Sequence, residues 1–288
     1  MTYFIQGILN GSTYSLVAIG FVTIYSVVKA FQFAHGSVVM LSSYLFLGAY
    51  NQTHNVVLSL LFVLVAMAIL GVLISRIAFE PLLGRHFPSL IAALGVSIVI
   101  QQLVAINFYQ GQAVSYPSAI KIRGAHRFLG ATVDNNKILV LVIAVVTILL
   151  LDRFFAKTRS GMQMRAIADS GSGAQVTGIN LKRTIRIGFV IAGLTAAIAG
   201  ILYGLLFSSI NPDMGTSLTI KGLAATLLGG STSFRGAILG AFVIGLSESL
   251  AIGYLSSGFS DAISYVVILA ILLARPQGLF GRTEMVRA

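Results

Sequence analysis

Residues 152–186 read DRFFAKTRSGMQMRAIADSGSGAQVTGINLKRTIR, and this stretch decides how the rest of the chain is read. It carries Arg153, Lys157, Arg159, Arg165, Lys182, Arg183 and Arg186, opposed only by Asp152 and Asp169. The runs on either side, ILVLVIAVVTILLL and IGFVIAGLTAAIAGILYGLLF, are apolar. Lys and Arg between two membrane spans are retained on the cytoplasmic side, so the charge pattern predicts an internal loop joining two spans. Within the loop the pattern predicts a short amphipathic helix. Ser160 can cap it, Met162, Ala166 and Ile167 can share a face, and Gly178 can stop the following turn. A short amphipathic helix held under a membrane domain is a surface for a partner.

Composition agrees with a membrane reading. Of 288 residues, 57% are hydrophobic and 9% charged, against about 25% charged in an ordinary soluble domain. The absence of Cys excludes a disulfide framework, a thiolate nucleophile and any Cys-ligated metal. A formal charge of +11 raises the question of nucleic acid. The charges, however, sit at the ends of apolar runs, with no aromatic and basic face to follow a phosphate backbone. Nucleic acid is therefore not an expected partner. The expected fold is all-α: a polytopic integral membrane protein, one domain over 1–288 with the loop 152–186 inside it.

The N-terminus, MTYFIQG, lacks the basic region of a cleavable signal peptide. The first span is expected over 4–28, with Asn10, Gly11, Ser12, Thr13 and Ser15 near its start. Such polar groups must face protein or a watery path rather than lipid. The next apolar run, 38–50, is short for a hydrocarbon core of about 30 Å unless residues 33–37 join it, so a broken or tilted helix is expected there. Further spans are expected over 56–78, 89–109, 138–151, 187–207, 237–255 and 262–274, with a short segment over 218–228 broken by GGSTSFRG. About eight to nine segments result, some of them broken or half helices.

Nine segments place the termini on opposite sides. With the basic loop inside, the N-terminus is external and the C-terminal tail cytoplasmic. The loop 110–137, with Lys121, Arg123, Arg127 and Lys137 against Asp134, is the misfit, being external and net positive. Making one short segment re-entrant would flip one terminus.

Five stretches in order, FAHGSVVMLSSY, GMQMRAIADSGSGAQVTGIN, NPDMG, LLGGSTSFRGAILGAFVIGLSES and RPQGLFG, resemble the permeases of branched-chain amino-acid ABC importers. The resemblance runs over 7–281 and is to the shorter of the two permeases that pair in such systems. It implies a second permease subunit, two cytoplasmic ATPase subunits and an external solute-binding protein, in a bacterial inner membrane. It also implies that 152–186 docks the ATPase, through Gly161, Met164, Arg165, Ile167, Ala168, Asp169 and Gly178. On that reading Met164, Ile167 and Ala168 fill a groove in the ATPase, and Arg165 and Asp169, four apart, can pair on the helix surface. Two departures stand out. Ser170-Gly171-Ser172-Gly173 replaces charged and alanine-rich residues, which predicts a short helix, a joint and a second turn. Thr232 and Arg235 stand where relatives carry Gly and Pro.

No GxxxxGK[ST] motif is present, so the chain is not expected to hydrolyse ATP; it needs no cofactor of its own, and ATP belongs to partner subunits. His35, His54, His86 and His126 have no ligand spacing, and no metal site is expected. His35 is read as bonding backbone at a helix break in preference to touching solute. Glu248 is the intramembrane acid, read as bonded to a neighbouring helix in preference to relaying protons. Lys221 and Arg235 are read as snorkelling to the interfaces. Broken backbone and buried polar groups predict a solute path, with Asn10, Ser12, Phe33, His35, Ser37, Gly229, Gly230, Ser231 and Ser233 around one cavity near mid-membrane. These residues suit a small neutral or zwitterionic solute. The resemblance implies leucine, isoleucine and valine, although related permeases take other amino acids, amides or urea. A self-sufficient secondary carrier is the competing class, and it would want more intramembrane acids than Glu248.

Overall fold

The computed structural model describes residues 2–108, 111–117, 124–128, 131–254, 260–274 and 278–280. Helices dominate: α1 (Thr2–Val28), α2 (His35–Thr53), α3 (Val56–Ile74), α4 (His86–Asn107), α5 (Asn135–Lys157), α6 (Arg159–Asp169), α7 (Gly171–Val176), α8 (Leu181–Phe207), α9 (Met214–Gly229), α10 (Phe234–Tyr254) and α11 (Ser260–Ala274). Six stretches among the described residues are long and apolar enough to cross a membrane: α1, α3 with the turns that follow it to Leu82, α4, α5, α8 and α10. Two small antiparallel pairs, β1 (Val114–Ser115) with β4 (Ser209–Ile210) and β2 (Ala125–Phe128) with β3 (Ala131–Asp134), fall in connections that the apolar pattern left as loops.

Ties between distant residues sort the helix ends into two groups. At one end, Lys29 bonds the backbone of α6, Glu80 pairs with Arg186 at 2.6 Å, and Leu279 N–H donates to Leu228 O at 2.7 Å. At the opposite end, Lys137 donates to Gln6 at 3.1 Å, Ser249 to the Tyr3 carbonyl at 2.6 Å, and Tyr116 to the Ser43 carbonyl at 3.2 Å. The basic stretch 152–186 lies at the first end, so α1 through α5 and α8 through α11 alternate in direction. Nine helices thus run alternately between the two ends, and six of them are long and apolar enough to cross a membrane, fewer than the eight to nine segments the apolar runs predict. Lys121 and Arg123 of the net-positive loop, and most of the tail beyond Ala274, lie outside the described residues.

Burial divides the helices into a core and a shell. α1 and α8 are buried along most of their length and pack against α10, α9, α2 and α3. Small residues bring these backbones together: Gly7 and Gly11 of α1 face Gly245, Leu246 and Phe242 of α10, where a Cβ would have no room. The shell helices bury only a stripe. In α3 this is Ser59, Val63, Met67, Gly71 and Ile74, and in α4 it is Ser89, Ala93, Ser97, Ile100 and Val104. The i, i+4 spacing of those stripes leaves Leu61, Val65 and Ile69, and Leu94, Ile98 and Ile106, on an apolar outer face.

Three expectations change here. The short run 38–50 is part of one unbroken helix of 19 residues, α2, because His35, Gly36 and Ser37 are helical and add a turn. Its break comes before His35, whose ring sits against Gly20, about 12 Å inside the end of α1. The chain therefore leaves α1, turns back and starts α2 within the bundle. Second, 152–186 is only partly a loop: Asp152 to Lys157 finish α5, and Leu181 to Arg186 begin α8. Third, the cap of α6 is Thr158 and not Ser160. The Thr158 hydroxyl accepts from Gly161 N–H at 3.1 Å, so α6 starts at Arg159.

Candidate translocation path and docking surface

A polar seam crosses the apolar bundle near the middle of α4. Ser37 Oγ lies 2.8 Å from Ser97 Oγ. The Gln101 side-chain amide donates to Ser37 Oγ at 3.0 Å, to Ser97 Oγ at 3.4 Å and to Thr216 Oγ1 at 3.1 Å. Three helices supply the groups: α2 brings Ser37, α4 brings Ser97 and Gln101, and α9 brings Thr216. α9 can do so because it too starts inside the bundle, with Gly215 against Ser37 and Met40. Thr216 is exposed and Gln101 half-buried. The amide and the hydroxyls satisfy one another here, and polar groups of this kind in a membrane bundle face protein or water in preference to lipid. Gln101 and Thr216 were absent from the sequence-based path; the polar pair QQ inside an apolar run was the available signal.

The other expected path residues do not converge on one cavity. Asn10 accepts from Gln6 at 2.9 Å, toward the end of the bundle away from 152–186. Ser12 donates to the Leu9 carbonyl at 2.7 Å, within its own helix. The Phe33 carbonyl accepts from Thr219 at 3.3 Å. His35 is buried edge-on to Phe21, and its Nε2 has no hydrogen-bond partner. Its backbone N–H, rather than its ring, makes the bond at the helix break, to the Gln32 carbonyl at 3.1 Å.

Gly229, Gly230, Ser231 and Ser233 are elsewhere, which corrects the expectation of a shared mid-membrane cavity. α9 runs toward the basic end, so the glycine break at its close lies beside α6. Gly229 touches the Gly236 backbone, Gly230 turns the chain at φ +100°, and Ser233 Oγ accepts from Gly236 N–H at 3.1 Å.

Lys221 corrects the snorkelling reading. Its ammonium is buried and donates to Glu248 Oε1 at 2.7 Å, with the Tyr14 hydroxyl at 3.4 Å. A pair joining α9, α10 and α1 explains how Glu248 is tolerated at depth, and it makes Glu248 a bond between helices, as expected. Arg235 does stay at the rim. It is mostly exposed and reaches Asp152 at 3.3 Å.

At the basic end, α6 packs against α1, α5 and α8. Gly161, Met164 and Ile167 are buried, because Met164 and Ile167 pack inward and Gly161 meets the backbone of Phe154 and Phe155. Met164 and Ile167 are thus spent on holding α6 in place, contrary to the expectation that they reach into a partner. Met162, Arg165, Ala166 and Ala168 face outward, and Arg165 donates to the Ala156 carbonyl at 3.2 Å. Two open grooves flank this face. One of about 510 Å³ is lined by Met162, Arg165, Ala168, Asp169, Thr232 and Phe280, and one of about 460 Å³ by Ala156, Arg165, Ala168, Phe234 and Arg235. Ser170 ends α6 and its hydroxyl caps α7 by accepting from Gly173 N–H at 3.1 Å, the joint and second turn expected from the glycines. Gly178, at φ +80°, closes α7.

Such an assembly of alternating apolar helices around an internal polar seam, with a short amphipathic helix under one end, defines a polytopic membrane permease. A family model described as branched-chain amino acid transport system, permease component, matches residues 3–275, and the chain belongs to that family. The high-affinity branched-chain amino acid transport system permease protein LivH of Salmonella typhimurium is 31% identical, over 98% of this chain and 97% of the relative. The corresponding protein BraD of Pseudomonas aeruginosa is 32% identical, over 98% and 95%. A probable LivH of Methanocaldococcus jannaschii is 30% identical, over 92% and 88%. Among solved structures, PsaBC from Streptococcus pneumoniae in complex with Fab aligns over 97% of this chain and 94% of that one, with a TM-score of 0.52 at 11% identity. That likeness speaks for the fold.

Proposed function

We propose that the chain is a membrane subunit of an ABC importer that carries leucine, isoleucine and valine inward, driven by separate ATPase subunits docked at its basic end. The observation that carries this reading is α6. It is fastened from within by Met164 and Ile167, leaving Met162, Arg165, Ala166 and Ala168 beside two open grooves. A helix held flush in this way can pass a push from a partner into the bundle without unfolding. The chain supplies no catalytic chemistry of its own and no cofactor; ATP is bound by the partners. On this reading the basic end is cytoplasmic, the N-terminus external and the C-terminus cytoplasmic in a bacterial inner membrane. The outer faces of α3, α4 and α5 meet lipid or a second permease subunit, and an external solute-binding protein delivers the solute. Gln101, Ser37, Ser97 and Thr216 line the path.

Uptake of labelled leucine by cells holding the whole transporter tests the solute. Isoleucine and valine are expected to compete and urea not to; urea uptake insensitive to leucine would overturn the assignment. For the orientation, Ser172→Cys in this Cys-free chain is expected to resist an impermeant thiol reagent added to intact cells, and ready labelling from outside would reverse it.

A further inference from the structure

Lys29 closes α1, and three elements meet on it. Its backbone is left-handed, at φ +58°, and its N–H donates to the Tyr25 carbonyl at 2.8 Å, which turns the chain back into the bundle. Its ammonium reaches across to α6 and donates to the Ala168 carbonyl at 2.5 Å. That carbonyl belongs to the last turn of α6, where the helix cannot satisfy its own acceptors and where a cation complements the helix dipole. Its own carbonyl accepts from His86 Nδ1 at 3.1 Å, and because a carbonyl only accepts, the proton lies on Nδ1. His86 is the first residue of α4, the helix that carries Ser97 and Gln101 into the polar seam.

A basic residue at the end of a span is ordinarily an interfacial anchor pointing into headgroups. Lys29 instead spends its charge on a backbone carbonyl of another element. A side chain that needed only to turn the chain would be better as glycine, which takes positive φ freely. Lys29 is therefore placed for its ammonium, and the ammonium joins α6 to the starts of two paths through the bundle. One is α1, buried along most of its length; the other is α4, which carries Ser97 and Gln101 into the seam.

We propose that Lys29 is a positioning residue for transport, the link through which displacement of α6 moves α1 and α4. This rests on the reading of α6 as the docking element. If a partner pulls α6, the Ala168 carbonyl moves with it, and Lys29 hands the displacement to the end of α1 and, through His86, to the start of α4. Packed side chains, hydrogen bonds and rigid helices of this kind carry energetic coupling between sites.

The test uses the whole transporter, purified with its ATPase subunits and reconstituted with its solute-binding protein, with uptake and ATP hydrolysis measured in the same vesicles. Lys29→Met keeps the stem and removes the charge, and is expected to lower solute moved per ATP hydrolysed by about tenfold, a size usual for coupling between sites. Lys29→Gly, which eases the turn, is expected to fold at least as well and to lose the same coupling. Lys29→Arg, which restores a cation, is expected to recover most of it. His86→Ala, at an exposed position, is expected to show a smaller loss of the same sign. A transport-to-hydrolysis ratio in Lys29→Met or Lys29→Gly within about twofold of the unaltered transporter, far below the usual coupling size, overturns the proposal. So does loss of the ATPase subunits from either variant, since Lys29 would then shape the docking surface instead of transmitting from it. Failure of the docking reading is seen separately, in Ala168→Asp retaining its ATPase and normal uptake.

Discussion

Two ion pairs on the same helix, α10, have opposite surroundings. Glu248 meets Lys221 at 2.7 Å with side chains only 5% and 7% exposed. Arg235 meets Asp152 at 3.3 Å with side chains 81% and 38% exposed. Inside the bundle two charges have no water to fall back on, so each depends on the other, and losing one strands its partner. At the rim, water and salt screen both charges, and the pair contributes little to stability. The comparison teaches where the molecule is fixed and where it can give. α1, α9 and α10 are joined by a charge pair deep in the bundle, whereas the pair between α10 and α5 at the basic end is in reach of water. Elements that move in function are drawn from such weakly held regions.

The largest expected effect is at the buried pair. Glu248→Ala should destabilise the purified chain by about 3 to 5 kcal/mol, because Lys221 stays buried without its counter-charge. The combined change Lys221→Met with Glu248→Leu should recover most of that loss. Thermal unfolding in detergent measures both, and an equal loss in single and double variants would break the comparison. A middle effect is expected where backbones touch. Gly229→Ala drives a Cβ into the Gly236 carbonyl group and should cost about 1 to 3 kcal/mol in the same measurement, as overpacking does. No loss there would mean that α9 and α10 are not packed as closely as described. The smallest effect is at the rim. Asp152→Asn should leave the unfolding temperature unchanged, and a drop approaching that of Glu248→Ala would erase the distinction between the two pairs.

How far this could be read in advance follows from which properties are local. Apolar runs bounded by charge are local, so the alternation of apolar helices was legible, as was the break at Ser170 that the glycines announced. The family motifs were legible for the same reason. Depth is not local. The glycine break 229–233 looked like part of a mid-membrane path, but its level depends on where α9 starts, and α9 starts inside the bundle. Partnership across helices is not local either. Lys221 and Glu248 lie on different helices, and only the approach of α9 to α10 shows that each answers the other. Within α6, periodicity showed an amphipathic helix without saying which face the bundle would claim, and the bundle claimed Met164 and Ile167. The cap read from the sequence was Ser160, and the structure gives that place to Thr158, whose hydroxyl accepts from Gly161 N–H.

The measurement that bears most directly on the basic end as the site of an ATPase is co-purification and uptake with Ala168→Asp. This places a charge on the outward face of α6 between the two grooves, away from the inward-packed Met164 and Ile167. The expected result is a membrane chain that unfolds at its usual temperature but loses its ATPase subunits or its solute uptake, since desolvating a carboxylate in the interface opposes docking. Full retention of the ATPase subunits together with normal uptake would contradict it.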